Sequence, residues 1–174
     1  TEVGGLHYRT DHDLKGHQEV SKEKMEIFDE ASQSKFIPHV LELSFGVDRN
    51  VYALLDLNYE KGAERGNDVL HLAPNVAPFF CAVFPLVKNK PELVAKAEEV
   101  RELVKDFPSF YDEASSVGRR YARADEIGVR YCITVDFETI EKDDSVTIRD
   151  RETTKQERVK ISRLKDRMEE LRNL

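Results

Sequence analysis

Residues 77–86, APFFCAVFPL, and residues 129–137, VRYCITVDF, are apolar almost without interruption over the length of a strand. A strand with one wet face alternates apolar and polar residues. A continuous run is buried on both faces, which requires helices above and below the sheet. The residues between supply them. PELVAKAEEVRELVKDF, residues 91–107, has helical periodicity with Pro91 at its first position, and PSFYDEA, residues 108–114, reads as a short strand. SSVGRRYARADEIG, residues 115–128, predicts a helix from about Val117 capped by Ser116, and in SVTIRDR Val146 and Ile148 alternate with polar neighbours. The last 22 residues, TTKQERVKISRLKDRMEELRNL, read as one long helix. Strands alternating with helices imply an α/β sandwich around a mixed, mostly parallel sheet.

The 174 residues are 40% hydrophobic, enough for one large domain or two small ones. No apolar run approaches the ~18 residues that cross a bilayer, and the polar first twenty residues lack a secretory signal, so a cytoplasmic protein without a membrane partner is expected. Cys81 and Cys132 each lie inside a strand-like run, where a thiol is expected to be buried rather than bridged or metal-bound. The net charge of −7 argues against a general nucleic-acid coat. It is unevenly placed: residues 1–74 hold 8 Lys and Arg against 14 Asp and Glu, whereas residues 75–174 hold 19 against 20, and there the arginines cluster.

Within residues 24–43, two extended segments flank the turn-rich ASQSK and predict an antiparallel hairpin, with Pro38 at an edge or a strand entrance. Val47, Val51, Leu54, Leu55 and Asn58 then recur at helical spacing, so a helix is expected from near Gly46 with Asp48 and Arg49 in its first turn. Pro74 and Pro78 bracket a crossing, dividing the chain into domains at 1–74 and 75–174. The opening on Thr1, in the middle of dense charged and apolar residues, predicts a piece of something longer.

In LELSFGVDR, residues 41–49, Glu42 and Ser44 share one face of a strand and Arg49 follows in the helix that the strand feeds. A guanidinium at a helix start suits phosphate oxygens. On the pattern alone, an ion pair with Asp48 or Glu42 comes first. TEVGGLHYRTDHDL brings Glu2, Arg9, Asp11 and Asp13, a pattern that also fits a solvated edge. The five histidines have no metal-ligand spacing, and no nucleophile elbow or phosphate loop occurs. Arg119, Arg120 and Arg123, with Arg149 and Arg151 further on, fit a polyanion or internal ion pairs alike.

VLELSFGVDRNVYALL resembles motif 3 of the class II aminoacyl-tRNA synthetases, and its form E-x-S-x-G-x-D-R resembles the glycyl-tRNA synthetases. TEVGGLHYRTDHDL is similar to that family's E-x-x-G-x-x-x-R-T-D-x-D-L segment. APFFCAVFPLVKNKPEL and the stretch from VGRRYARADEIG to TTKQERV are similar to its anticodon-binding domain. The likeness extends over nearly the whole chain apart from Lys15 to Lys35; Leu43 stands where the family commonly has Pro.

The resemblance implies the end of a class II antiparallel-sheet catalytic domain followed by an α/β anticodon-binding domain, a mixed five-stranded sheet flanked by helices. It implies a homodimeric glycine–tRNA ligase that uses ATP with Mg2+ and acts on glycine and tRNA(Gly). Glu2 and Glu42 would surround the glycine ammonium, Ser44 would close a pocket too small for a side chain, and Arg49 would bind the ATP phosphates. Arg119, Arg120, Arg123, Arg149 and Arg151 would meet the tRNA. Motifs 1 and 2 lie upstream in the family and are not in this sequence, so the chain alone is expected not to form adenylate. A non-catalytic nucleic-acid-binding relative and a synthetase for a larger amino acid are the alternatives; the retained Glu2 and Glu42 argue against both.

Overall fold

The computed structural model describes residues 2–62, 64 and 66–173. The chain divides into two compact units, Thr1–Leu54 and Leu55–Leu174.

The first unit opens with strand β1 (Gly4–Thr10) and helix α1 (His12–Ser21). The ion pair of Lys15 with Asp11, at 2.6 Å, braces the first turn of α1, and Lys22 ends it in a left-handed conformation. Strands β2 (Ile27–Asp29) and β3 (Ser34–Phe36) form the expected hairpin. Asp29 closes its turn by accepting from the backbone N–H groups of Ala31 and Ser32 at 3.2 and 3.1 Å. Pro38 stands just before strand β4 (Val40–Phe45), which pairs antiparallel with β1 so that Gly5 faces Ser44 and His7 faces Glu42. Helix α2 (Val47–Asn58) follows at once, as the spacing predicts. Its first turn is tied to the chain ahead of β1, where the carbonyl of Val3 accepts from Gly46 N–H at 3.3 Å and from the Asn50 amide at 2.7 Å.

The boundary between the units falls inside α2, ahead of the expected crossing at Pro74. The reason lies in the segment after α2. Strands β5 (Tyr59–Glu60) and β6 (Val69–Leu70) pair with each other, and Val69 and Leu72 are buried with the second unit. Gly128, at φ 80°, has no Cβ to keep Leu72 away: one added there would lie 2.9 Å from Leu72 Cδ1.

The rest of the second unit is β7 (Cys81–Pro85), α3 (Pro91–Leu103), β8 (Ser109–Tyr111), α4 (Val117–Glu126), β9 (Tyr131–Val135), a π-helical turn at Thr139–Asp143, β10 (Ser145–Asp150), β11 (Gln156–Lys160) and α5 (Ile161–Arg172). The five-stranded sheet has the order β11-β10-β9-β7-β8. β7 is parallel to β8 and β9, while β10 is antiparallel to β9 and β11, so the sheet is mixed but only half parallel. On one face Cys81, Val83, Ile133, Val135, Val146 and Ile148 meet Leu93, Ala97 and Val100 of α3 and Leu164, Met168 and Leu171 of α5. On the other, Ala82, Phe84 and Cys132 meet Ala124 of α4 and Val129. Each fully buried large side chain contributes about 2 kcal/mol by area.

Two expectations change. Gln156–Lys160 is a strand, not the start of the closing helix. It is the sheet edge, where only Val159 packs against the core, so its polar residues conceal the strand pattern. Ser116 occupies the cap position of α4 without a side-chain cap bond.

Candidate functional site

The first unit places its polar side chains on one face of the β1–β4 ribbon. Alternation along β4 puts Glu42 and Ser44 on that face, and the pairing brings Gly5 and His7 opposite them. The Glu2 carboxylate folds onto the same face, its Oε1 3.2 Å from where a Cβ on Gly5 would stand. Arg9 closes the far end: its Nη1 lies 3.1 Å from Glu42 Oε2, and its Nη2 donates to Asp13 Oδ1 at 3.0 Å. The bond to Arg9 holds the Asp13 carboxyl below its ordinary value, and both acids raise the Arg9 guanidinium above its own.

Arg49 is exposed in the first turn of α2, and its Nη1 donates to the backbone carbonyl of Glu2 at 2.9 Å. Its described bonds include neither Asp48 nor Glu42. Glu2, Glu42 and Ser44 therefore share one face, and Arg49 is tied to the residue that carries the first carboxylate. The face also includes Gly5, His7 and Arg9, none of which is among the expected site residues. Their only signal is register, set by a partner strand some thirty-five residues away in the chain.

In the second unit the arginine cluster separates. Arg119 is exposed on α4 and Gly118 beside it opens to solvent. Arg123 is partly exposed, held by Asp112 through Nε at 2.8 Å and by the carbonyl of Ala114 at 2.7 Å. The other three guanidiniums are internal. Arg120, 1% exposed, donates to the carbonyls of Glu113, Ala114 and Ser115 at 2.9, 3.2 and 2.7 Å and to that of Pro85, pinning this loop to the end of β7. Arg149 forms a two-pronged pair with Asp125 at 2.9 and 3.1 Å and lies over the Tyr121 ring, 4.9 Å from its centroid. Arg151 donates to the carbonyls of Gly128 at 2.7 Å and Leu72 at 2.9 Å and to Glu152 at 2.8 Å. Burial dictates these partners: a guanidinium facing a sheet or a turn must satisfy its donors inside.

From Arg151 the polar chain continues. Glu152 meets His71 Nδ1 at 2.8 Å, and His71 Nε2 meets Glu60 at 2.8 Å. Burial draws the imidazole's pKa down, but the two carboxylates outweigh it and leave the pKa above its ordinary value.

The cysteines are free and buried, and parallel pairing puts Cys81 opposite Tyr131 but Cys132 opposite Ala82, so the thiols face opposite sides of the sheet. Burial pushes Cys81 up to about 12 and Cys132 up as well, which leaves neither a nucleophile near neutral pH. Among the described residues, no group of three or more His, Cys, Asp or Glu is placed to hold a metal ion, and no helix is long and apolar enough to cross a membrane.

The mixed sheet with helices on both faces, carrying Arg119 at its α4 surface, defines a class: over residues 81–171 the chain belongs to the anticodon binding domain family. Across both units it is similar to proteins named glycine–tRNA ligase. It is 44% identical over 168 residues to that of Clostridium beijerinckii, covering 95% of this chain and 36% of the relative. It is 44% identical over 165 residues to that of Chlorobaculum tepidum (93% and 35%) and over 172 residues to that of Geobacillus kaustophilus (97% and 37%). The chain thus spans a little over a third of the length of these curated relatives.

Proposed function

We propose that this chain is the part of a glycine–tRNA ligase that contributes one wall of the glycine site, an ATP-phosphate contact and the anticodon-binding domain. The observation that carries the reading is the convergence of Glu2, Glu42 and Ser44 on one strand face, with Arg49 bonded to the backbone of Glu2. Its support is the similarity to glycine–tRNA ligases across both units.

Two acceptor-only carboxylates suit the ammonium of a small amino acid, and Ser44, facing Gly5 across the ribbon, keeps the floor of the site shallow. Arg49, at a helix start and outside the core, orients the triphosphate. The glycine carboxylate attacks the α-phosphorus, the bond to the bridging oxygen breaks, and pyrophosphate leaves with its charge offset by the guanidinium. A hydroxyl of the terminal ribose of the tRNA then attacks the glycyl carbonyl carbon and AMP departs. Magnesium bound with the nucleotide would supply counter-charge to its phosphates. In the second unit, Arg119 and the exposed part of Arg123 stack on or bond to splayed anticodon bases; their exposure supports this role. The reading includes a homodimeric cytoplasmic enzyme, with the 174-residue chain alone forming no adenylate.

The test is a hybrid in which this chain replaces the matching 168 residues of the Clostridium beijerinckii enzyme. Glycine-dependent exchange of pyrophosphate into ATP is expected. Equal exchange with alanine or serine defeats the glycine assignment. No exchange, together with tRNA binding by this chain, points instead to a non-catalytic nucleic-acid-binding accessory protein.

A further inference from the structure

Gly5 lies in the middle of the polar strand face, yet its backbone does not require glycine. The described glycines with positive φ are Gly62, Gly66 and Gly128, whereas Gly5 is extended in β1. Its missing side chain is what matters. A Cβ at position 5 would stand 2.3 Å from His7 Nε2, 3.1 Å from His7 Cδ2 and 3.2 Å from Glu2 Oε1. The imidazole and the carboxylate therefore both settle onto the bare Cα. Gly16 and Gly118 differ, since a Cβ at either would meet nothing within 4 Å. Gly4 serves the opposite face, where its Cβ would strike the Phe45 ring at 2.7 Å.

We propose that Gly5 is a positioning residue of the substrate site: by lacking a side chain it seats the His7 imidazole and the Glu2 carboxylate on the strand, and so sets where the substrate ammonium is held. This rests on the glycine–tRNA ligase reading. The first group displaced by a methyl at position 5 is the tip of an exposed histidine, which swings away at little cost to the fold. With His7 displaced, the new methyl still meets Glu2 Oε1 at a distance tighter than ordinary contact. The consequence falls on amino-acid binding, while Arg49, bonded to the Glu2 carbonyl rather than the carboxylate, keeps its place for nucleotide.

The experiment uses the hybrid enzyme and measures KM for glycine and for ATP separately in pyrophosphate exchange. Gly5→Ala is expected to raise the glycine KM roughly tenfold, with the ATP KM within about twofold and the melting temperature unchanged. His7→Ala alone, with Gly5 kept, is expected to raise the glycine KM less than Gly5→Ala does, because Glu2 still rests on the bare Cα. An unchanged glycine KM in Gly5→Ala overturns the inference. So do equal rises for glycine and ATP with a lowered melting temperature, or a His7→Ala variant that raises the glycine KM more than Gly5→Ala does. A hybrid without any glycine-dependent exchange before substitution defeats the functional reading and the inference with it, whereas an active hybrid indifferent to Gly5→Ala defeats the inference alone.

Discussion

The two units handle the same side chains in opposite ways. In the first, no described residue is buried: Leu6, Tyr8, Leu41, Leu43 and Phe45, on one face of the β1–β4 ribbon, are each 64–68% exposed, and the polar face carries Glu42 and Ser44. In the second, two apolar clusters enclose both faces of a sheet, and arginines are drawn in with them. Arg49 and Arg9 stand at a surface where a ligand can meet them, whereas Arg120, Arg149 and Arg151 serve carbonyls and a carboxylate inside. An arginine beside an apolar strand is thus exposed or internally bonded according to the face it occupies.

The sharpest way to break this contrast is to remove an internal partner. Asp125→Asn leaves Arg149 buried without its counter-charge and is expected to destabilise the second unit by about 3–5 kcal/mol in urea unfolding. A loss below about 1 kcal/mol would place Arg149 among the adaptable surface arginines. Arg49→Ala is the reverse case. In the hybrid enzyme it is expected to lower kcat/KM for ATP by about 10²–10³-fold while melting shifts by less than about a degree. A large stability loss with little kinetic effect would make Arg49 structural.

Within α4 the contrast tightens to adjacent residues. Arg119→Ala is expected to weaken tRNA binding by this chain by about 1–3 kcal/mol without changing its melting temperature. Arg120→Ala is expected to show its effect first as lost stability, because it strips donors from four backbone carbonyls. If fluorescence anisotropy shows no change for Arg119→Ala, α4 does not form the RNA surface.

The smallest effect concerns His71. Its folded-state pKa is raised, so the stabilisation from Glu60 and Glu152 is complete below the unfolded value of about 6.5 and is lost as pH rises through the folded one. The amplitude expected is about 1 kcal/mol or less, and His71→Gln should flatten that part of the stability profile of the second unit. A profile that keeps its slope in His71→Gln assigns the titration elsewhere.

The apolar runs of β7 and β9, the Pro91 start of α3 and the strand-to-helix passage from Glu42 to Arg49 were legible because each is a local pattern of burial or capping. β11 was not: an edge strand has one pairing neighbour and one packed side chain, and its charges read as part of the helix behind it. The candidate site was half legible. Glu42, Ser44 and Arg49 are close in sequence, whereas Gly5, His7 and Arg9 join them only through the register of β1 on β4.

By itself the sequence determined the element types and their order, because helical and strand periodicities, a proline at a helix start and two-faced apolar runs are properties of a few neighbouring residues. Only the tertiary structure decided which arginines face solvent and which residues meet across the ribbon. Those outcomes depend on pairing register and on the groups waiting at the other end of a long side chain, and both are supplied by segments far away in the chain.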